Sequence, residues 1–317
     1  MQKPDFSLVL PVYNTEAYLT LFLEGLGAPA VPLEIIVVND GSPGDTLAVV
    51  EAHGSRLPGL RYIDLGSNYG PVEARRRGAL AAAGRFVHFV DPDDWVEPEV
   101  YPRLLAVLEE TGSDLLIGGV TVWKDDQPES AKNSFWSAPD GPLGEAWLLD
   151  FLANRTSHNV FRVVAERSLV IQAFEGLGDA GHLTAGEDYL ILLAAFLHAK
   201  HPWGWSQVLY NYRLGIGISS SHHSSAERWL KSFVDKRKVL AGSRALLRRH
   251  RKGRTARLAF QEYARLESSW RYQTWLALDP EQRRKAEALL RSRWLWSRWQ
   301  AVMRSQEKAR NYQNSRG

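Results

Sequence analysis

Cysteine is absent from the 317 residues, and methionine occurs only twice. The first absence removes a disulfide scaffold, a thiolate zinc site and a cysteine nucleophile together. Any catalytic metal must therefore be held by oxygen or imidazole. Long apolar runs are also missing: the longest, from Tyr189 to Leu197, is less than half of the roughly 20 residues that a membrane-spanning helix needs. The start, Met1-Gln2-Lys3-Pro4-Asp5, lacks the basic segment and apolar stretch of a signal peptide, so a cytoplasmic protein that begins near Met1 is expected. There is no G-x-G-x-x-G after the first strand-like segment and no G-x-x-x-x-G-K-S/T anywhere, which speaks against a dinucleotide dehydrogenase and a P-loop NTPase. No repeat of 20–50 residues is visible.

What is present is globular in composition, with 44% hydrophobic and 24% charged residues. The net charge of +3 hides an asymmetry. Residues 225–317 carry 24 Lys+Arg and 8 Asp+Glu, a net of +16, whereas residues 1–224 carry 15 and 28, a net of −13. The basic part also holds Trp229, Trp270, Trp275, Trp294, Trp296 and Trp299. A boundary between His222 and Glu227 follows, with a first domain over 1–224 and a basic, Trp-rich helical region over 225–317.

Residues 6–12 and 33–39 are short, β-branched and almost continuously apolar, as strands buried on both faces must be. Between them Tyr18, Leu19, Phe22, Leu23 and Leu26 recur at helical spacing, after Asn14 or Thr15 as a cap. Asp45 closes a turn-rich loop and can cap a second helix. Residues 60–65 predict a third strand, Pro71 opens a helix that stops at Gly84, and residues 85–90 predict a fourth strand. Strands alternating with helices through short turns argue for an open, doubly wound α/β sheet. Such sheets place ligands beyond the carboxyl ends of their strands.

The chemistry gathers at those ends. Asp91, Asp93 and Asp94 put three carboxylates within four residues, and like charges so close repel unless a cation neutralises them. Hard oxygens suit Mg2+ or Mn2+, which bind through one or two carboxylates and complete their shell with water and phosphate. The same run is also compatible with a solvated turn and a helix cap. Asp40 can accept hydrogen bonds from a base or ribose, or it can build the Asp40-Gly41-Ser42 turn. Arg75, Arg76 and Arg77 offer guanidinium forks for phosphate, but three consecutive residues spread over about 200° of a helix, so they cannot all face one site. Glu187 and Asp188 open an apolar helix, where acidic residues either complement the helix dipole or supply a general base. His88 is expected to be structural. His222 and His223 are expected as plain loop residues, with contact to metal or diphosphate as the alternative.

Taken in order, the segments Ser7-Leu-Val-Leu-Pro-Val-Tyr-Asn14, Glu34-Ile-Ile-Val-Val-Asn-Asp-Gly-Ser42, Asn68-Tyr-Gly-Pro-Val-Glu-Ala-Arg75 with Gly78, Gly84-Arg-Phe-Val-His-Phe-Val-Asp-Pro-Asp-Asp-Trp95 and Gly186-Glu-Asp188 resemble a family-2 glycosyltransferase of the GT-A fold. Segments His158-Asn-Val-Phe-Arg162 and Leu209-Tyr-Asn-Tyr-Arg213, with Ile218-Ser219, extend the resemblance over residues 5 to 224. It implies a GT-A doubly wound mixed sheet with a C-terminal helical extension. It also implies inverting transfer of a sugar from a nucleotide diphosphate, usually a UDP-sugar, to an acceptor hydroxyl. By the same resemblance Pro11, Val12 and Tyr13 flank the base, Asp40 binds uracil or ribose, and Arg75 lies near the nucleotide. Asp91-Pro92-Asp93 matches the DxD signature, with Asp91 toward the ribose and the metal, Asp93 toward the metal and Asp94 sharing that role. Asp188 matches the catalytic base and Glu187 its usual neighbour. Asn39 and Arg76 depart from the family pattern without touching the metal site or the base.

The basic tail has three readings. Leu295, Trp299 and Val302 form a stripe with Trp296 and Met303 beside it. A positive amphipathic helix of this kind fits an anionic membrane surface, at the inner face of the cell membrane, where it would meet a saccharide or lipid-linked saccharide acceptor. Alternatively the tryptophans pack on the catalytic domain or on a second subunit of a homo-oligomer. Nucleic-acid binding is disfavoured, because no recognised motif accompanies the charge. An inverting, metal-dependent transferase of bacterial cell-envelope or capsular polysaccharide synthesis is the leading expectation. A catalytically idle scaffold of the same fold is the alternative from another class, and a nucleotidyltransferase is a third.

Overall fold

Phe6–Val12 (β1) and Leu33–Asn39 (β2) pair in parallel, with Phe6 opposite Leu33 and Val12 opposite Asn39. Both strands are covered on each face, which is why neither shows polar alternation. The computed structural model describes residues 3–27, 31–124, 134–178, 181–214, 225–292 and 295–314. Leu60–Asp64 (β3) adds in parallel to β2, and Phe86–Phe89 (β4) adds in parallel to β1. The sheet continues through Leu115–Lys124 (β5), Ser134–Trp136 (β6), Gly141–Pro142 (β7), Val163–Glu166 (β8) and Pro202–Leu214 (β9). Its order is β3-β2-β1-β4-β8-β5-β9-β7, with β6 on β5. Strand β8 runs antiparallel to both β4 and β5, and this makes the sheet mixed.

Alternate residues of the central strands enter two cores. Leu8, Leu10, Ile35 and Val37 pack under Glu16–Gly25 (α1), Thr46–Gly54 (α2) and Val100–Thr111 (α4). Val9, Ile36, Val38, Val87 and Phe89 pack under Pro71–Ala81 (α3), Arg167–Leu177 (α6) and Glu187–His198 (α7), with Glu145–Leu152 (α5) beside them. Helix α3 lies unusually close to the sheet because of Gly78, where a Cβ would fall 2.2 Å from Val9 Cγ1.

Two local expectations change. Thr15 occupies the N-cap of α1, but neither its side chain nor that of Asn14 caps the helix; Asn14 adopts a left-handed φ of 56° and donates its N–H to Ser42 Oγ at 3.1 Å. Helix α3 ends at Ala81 rather than Gly84. The next residues are drawn into β4 by side chains of the sheet, with Ala83 N–H donating to Glu34 at 2.7 Å and Gly84 N–H to Ser7 Oγ at 2.9 Å. Asp45 does cap α2, accepting from Ala48 N–H at 2.9 Å.

Four helices follow residue 224: Ala226–Arg249 (α8), Arg254–Ala277 (α9), Pro280–Ser292 (α10) and Trp296–Asn314 (α11). Ser225 Oγ accepts from Arg228 N–H at the start of α8. Val239, Leu246 and Leu247 of α8 and Phe260 and Tyr263 of α9 join the core beneath α3, α6 and α7. Trp229, Phe233, Trp275, Leu290 and Trp299 form a separate core, in which the Trp229 and Trp299 rings meet edge to face at 4.8 Å. The Leu295, Trp299 and Val302 stripe is thus turned inward, and Trp299 is fully buried. Of the readings offered for that stripe, packing within the chain is the one these contacts match. Among the described residues no helix is long and apolar enough to cross a membrane.

Candidate active site

Gly78 and Arg75 lie one turn apart on α3. The close seat that the glycine allows brings the guanidinium to the carboxyl ends of the parallel strands. Arg75 is 3% exposed. Its Nη2 donates to Asp91 Oδ1 at 2.9 Å, its Nη1 to Asp188 Oδ1 at 3.1 Å, and the same Nη1 lies 4.0 Å from Glu187 Oε1. Burial disfavours the cation, but the three carboxylates outweigh it and hold Arg75 charged, its pKa above the ordinary value. Arg76 and Arg77 turn away and pair with Glu73 at 2.6 and 2.7 Å.

Gly186, in the left-handed region at φ 82°, turns the chain into α7, so that Glu187 and Asp188 stand in its first turn. Asp188 Oδ2 accepts from Val160 N–H at 3.3 Å. Burial raises the pKa of Asp188, and the neighbouring Arg75 opposes the rise. Glu187 is raised by burial and then by Asp188 beside it. The loop leading to Gly186 is pinned from α8: Thr184 donates through N–H and Oγ1 to Asp235 Oδ2 at 3.0 and 3.2 Å, and Lys231 Nζ reaches the same oxygen at 2.5 Å.

The acidic loop after β4 is held by β9. Tyr210 Oη accepts from Asp91 N–H at 3.1 Å and donates to Asp94 Oδ2 at 2.7 Å, while Arg213 N–H donates to Asp94 Oδ1 at 2.7 Å. Asp94, 4% exposed, is pushed up to about 8 by burial and by Asp91. With both oxygens engaged it anchors the loop. Asp93 is only partly covered, is raised to about 6 by burial and by Asp91, and faces a hollow of about 190 Å³ beside Tyr18, Trp95 and Arg213. Among the described residues no three His, Cys, Asp or Glu side chains converge on one point. Mg2+ or Mn2+ needs only one or two carboxylates when water and phosphate complete its shell, and Asp91 and Asp93 are the acids of this loop whose oxygens Tyr210 and Arg213 do not engage.

On the nucleotide side the expected residues separate. Asp40 is 3% exposed and accepts from Tyr69 N–H at 2.7 Å and Gly70 N–H at 2.9 Å, with burial raising its pKa. Its carboxylate shapes the loop after β3 instead of standing free for a base. Gly41 makes this approach possible, since it is left-handed at φ 74° and a Cβ would fall 2.6 Å from the Ser67 carbonyl carbon. The side chain of Val12 lies in the core under α1, so only the backbone of Val12 can face a ligand. Pro11 is partly covered at the end of β1, while Tyr13 is 43% exposed.

Tyr13 and Asp188 share a cavity of about 1400 Å³ that α8 and α9 also line, with Lys231, Lys236, Trp270 and Arg271. Tyr18 lines both this cavity and the hollow at Asp93. The structure thus brings Asp91, Asp188, Glu187 and Arg75 together, with Asp93 in the adjoining hollow. His88 is structural, buried between Tyr101 Oη at 2.9 Å and the Phe161 carbonyl at 2.7 Å. His222 and His223 lie outside the described residues. Sequence reasoning gave no role to Tyr210, Arg213 or the α8–α9 wall, although Tyr210 and Arg213 stand in a segment already noticed.

A model of Glycosyl transferase family 2 matches residues 7–166. Among curated proteins, the chain is 26% identical over 217 residues to the putative glycosyltransferase EpsH of Bacillus subtilis, covering 68% of this chain and 62% of that one. It is 36% identical over 116 residues to the poly(ribitol-phosphate) beta-N-acetylglucosaminyltransferase TarS of Staphylococcus aureus, covering 35% and 20%. The chain therefore spans less than two thirds of these relatives. The structure of S. aureus TarS 1–349 in complex with UDP-GlcNAc aligns with a TM-score of 0.57 and 26% identity over 75% of this chain and 66% of that one. The mannosyltransferase PcManGT of Pyrobaculum calidifontis, in complex with GDP-Man and Mn2+, shares the fold at a TM-score of 0.53 and 15% identity, covering 92% and 76%.

Proposed function

Because the chain belongs to glycosyl transferase family 2, we propose that it moves a sugar from a nucleotide-diphosphate donor, a UDP-sugar, to an acceptor hydroxyl with inversion at the anomeric carbon. The observation that carries this reading is the buried guanidinium of Arg75, which joins the acid at the end of β4 to the carboxylate at the start of α7 beside a large cavity. In the proposed step Asp188 takes the proton of the attacking hydroxyl. The hydroxyl oxygen forms the new bond to the anomeric carbon, and the glycosyl–phosphate bond breaks on the opposite face. The electron pair leaves with the nucleoside diphosphate. Arg75 holds Asp188 ionised and aimed, and Glu187 adds negative charge beside it. A divalent cation, Mn2+ or Mg2+, held by Asp91 and Asp93 would supply Lewis-acid stabilisation of the departing diphosphate when bound.

The TarS complex with UDP-GlcNAc supports a UDP-sugar donor, and the PcManGT complex supports a divalent ion. The poly(ribitol-phosphate) in the name of TarS supports a polymeric acceptor, and with it we propose a place in cell-envelope or capsular polysaccharide synthesis. The proposal keeps residues 1–224 as the catalytic unit, with 225–317 as an added helical region. It also places the protein in the cytoplasm, where the acceptor brings it to the inner membrane face. The test is calorimetric titration of the full chain with UDP, with and without Mn2+. Wild type is expected to bind UDP at least tenfold more tightly with Mn2+, and Asp93→Ala to lose that gain. Binding indifferent to Mn2+ in the wild type would point to an idle scaffold instead.

A further inference from the structure

Resting on that reading, we propose that Asp235 of α8 is a positioning residue for the general base: through Thr184 it fixes the turn from which α7 starts, and so sets where Asp188 stands. The start of α7 has no cap of its own. Gly186 occupies the N-cap at φ 82° with no side chain to hold the helix, and a glycine there leaves the backbone free to take other conformations. Arg75 and the Val160 N–H bind the Asp188 carboxylate, but they act on the side chain and not on the backbone that carries it.

The hold comes from α8. Asp235 is 1% exposed, and its Oδ2 accepts from Thr184 N–H at 3.0 Å, from Thr184 Oγ1 at 3.2 Å and from Lys231 Nζ at 2.5 Å. A buried carboxylate needs such donors to offset its desolvation, so the acid and its partners keep one another in place. Lys231 Nζ also donates to the His182 carbonyl at 2.8 Å, which ties the same segment at a second point. Next along α8, Lys236 lies against Gly186, where a Cβ would fall 2.8 Å from its Nζ, and pairs with Glu267 of α9 at 3.1 Å. Just past the two acids, Tyr189 stacks on Tyr263 of α9 with ring centroids 4.2 Å apart. The first turn of α7 is thus gripped ahead of Gly186, at Gly186 and after Asp188, each time by α8 or α9. A base must meet the acceptor hydroxyl at hydrogen-bond distance, and a displacement of about 1 Å can cost about 10²-fold in rate. The helical region therefore governs turnover through the segment it grips.

The test uses the full chain and three readouts: kcat for UDP release at saturating UDP-sugar, UDP affinity with Mn2+ by calorimetry, and hydrogen–deuterium exchange of the peptide that holds Thr184 and Asp188. Asp235→Ala is expected to lower kcat at least tenfold and to speed exchange ahead of α7. UDP affinity is expected to stay within about threefold of wild type, since Asp40 holds the donor-side loop separately through Tyr69 and Gly70 N–H. Asp235→Asn keeps an oxygen for Thr184 and is expected to recover most of the lost kcat. Thr184→Val keeps the volume and removes one bond; it is expected to lower kcat about threefold, and it decides the matter should Asp235→Ala fail to fold. In an Asp188→Asn background Asp235→Ala is expected to cost less than about twofold more, because it acts through that base. Glu262→Gln removes the exposed tie from α9 to Arg155 at 3.3 Å and is expected to leave kcat unchanged. Wild-type kcat in Asp235→Ala and Thr184→Val, kcat and UDP affinity falling together, or the full loss persisting in the Asp188→Asn background would overturn the positioning role. A wild type that turns over, with both variants indistinguishable from it, loses only that role. One that releases UDP from no donor loses the transfer reading, and exchange ahead of α7 then still reports whether Asp235 holds the turn.

Discussion

At the scale of single residues, the site is an arrangement of buried charges that compensate one another. Arg75 without its carboxylates, or Asp188 without Arg75, would carry a desolvation cost of several kcal/mol. Burial has a plainer consequence at His88, whose pKa is lowered to about 4 because the ring is enclosed in the core. The folded state keeps this imidazole neutral, while the unfolded chain protonates it near 6.5. Its contribution is therefore fully present above about pH 6.5 and is lost as the pH falls toward 4, by about 3 kcal/mol over that window. His88→Gln removes the titration while it can keep bonds to Tyr101 and Phe161. Urea denaturation at pH 7 and pH 4.5 is expected to show the wild-type advantage shrinking by about 2 kcal/mol in acid; an advantage that does not change with pH would contradict it. Asp91, Asp93 and Asp188 were singled out as candidates in the sequence by their place at a strand end or helix start together with the family resemblance. Tyr210 was not, because its partner Asp94 lies 116 positions away and only the folded sheet joins them.

Among the elements, placement of the site depends on how close α3 comes to β1. A methyl group on Gly78 would meet Val9 Cγ1 at 2.2 Å and Val38 Cγ2 at 3.2 Å, so the helix must lift or the strand must give. Gly78→Ala is expected to cost about 1–3 kcal/mol and to weaken donor turnover disproportionately, because Arg75 is carried on the same face. Thermal melting and UDP release from a panel of UDP-sugars measure both effects, and a stable, fully active variant would contradict the coupling. Strands β1 and β2 could be read from their almost continuous apolar runs, and β3 and β4 from the alternation of strand-like segments with helices. Strand β8, Val163–Glu166, could not, since its antiparallel place between β4 and β5 is set by partners far away in the chain. The shift of the α3 end from Gly84 to Ala81 has a similar origin in the Ser7 and Glu34 side chains.

For the whole molecule, the division into an acidic first part and a basic second part was visible in the composition, and the structure brings side chains of both parts to one cavity, lined by Glu187 and Asp188 of α7 and by Arg228, Lys231 and Lys236 of α8. That the tryptophans of the tail form a core of their own could not be separated in the sequence from a membrane-facing stripe, because both arrangements demand the same helical spacing. The catalytic account needs the acids of two distant segments to act as one site through Arg75. Its most direct test compares UDP affinity in the presence of Mn2+ with sugar transfer, or UDP release, in wild type and Asp188→Asn. The account expects UDP affinity within threefold of wild type and turnover reduced by about 10²–10⁴-fold; parallel loss of both, or turnover near wild type, would contradict it.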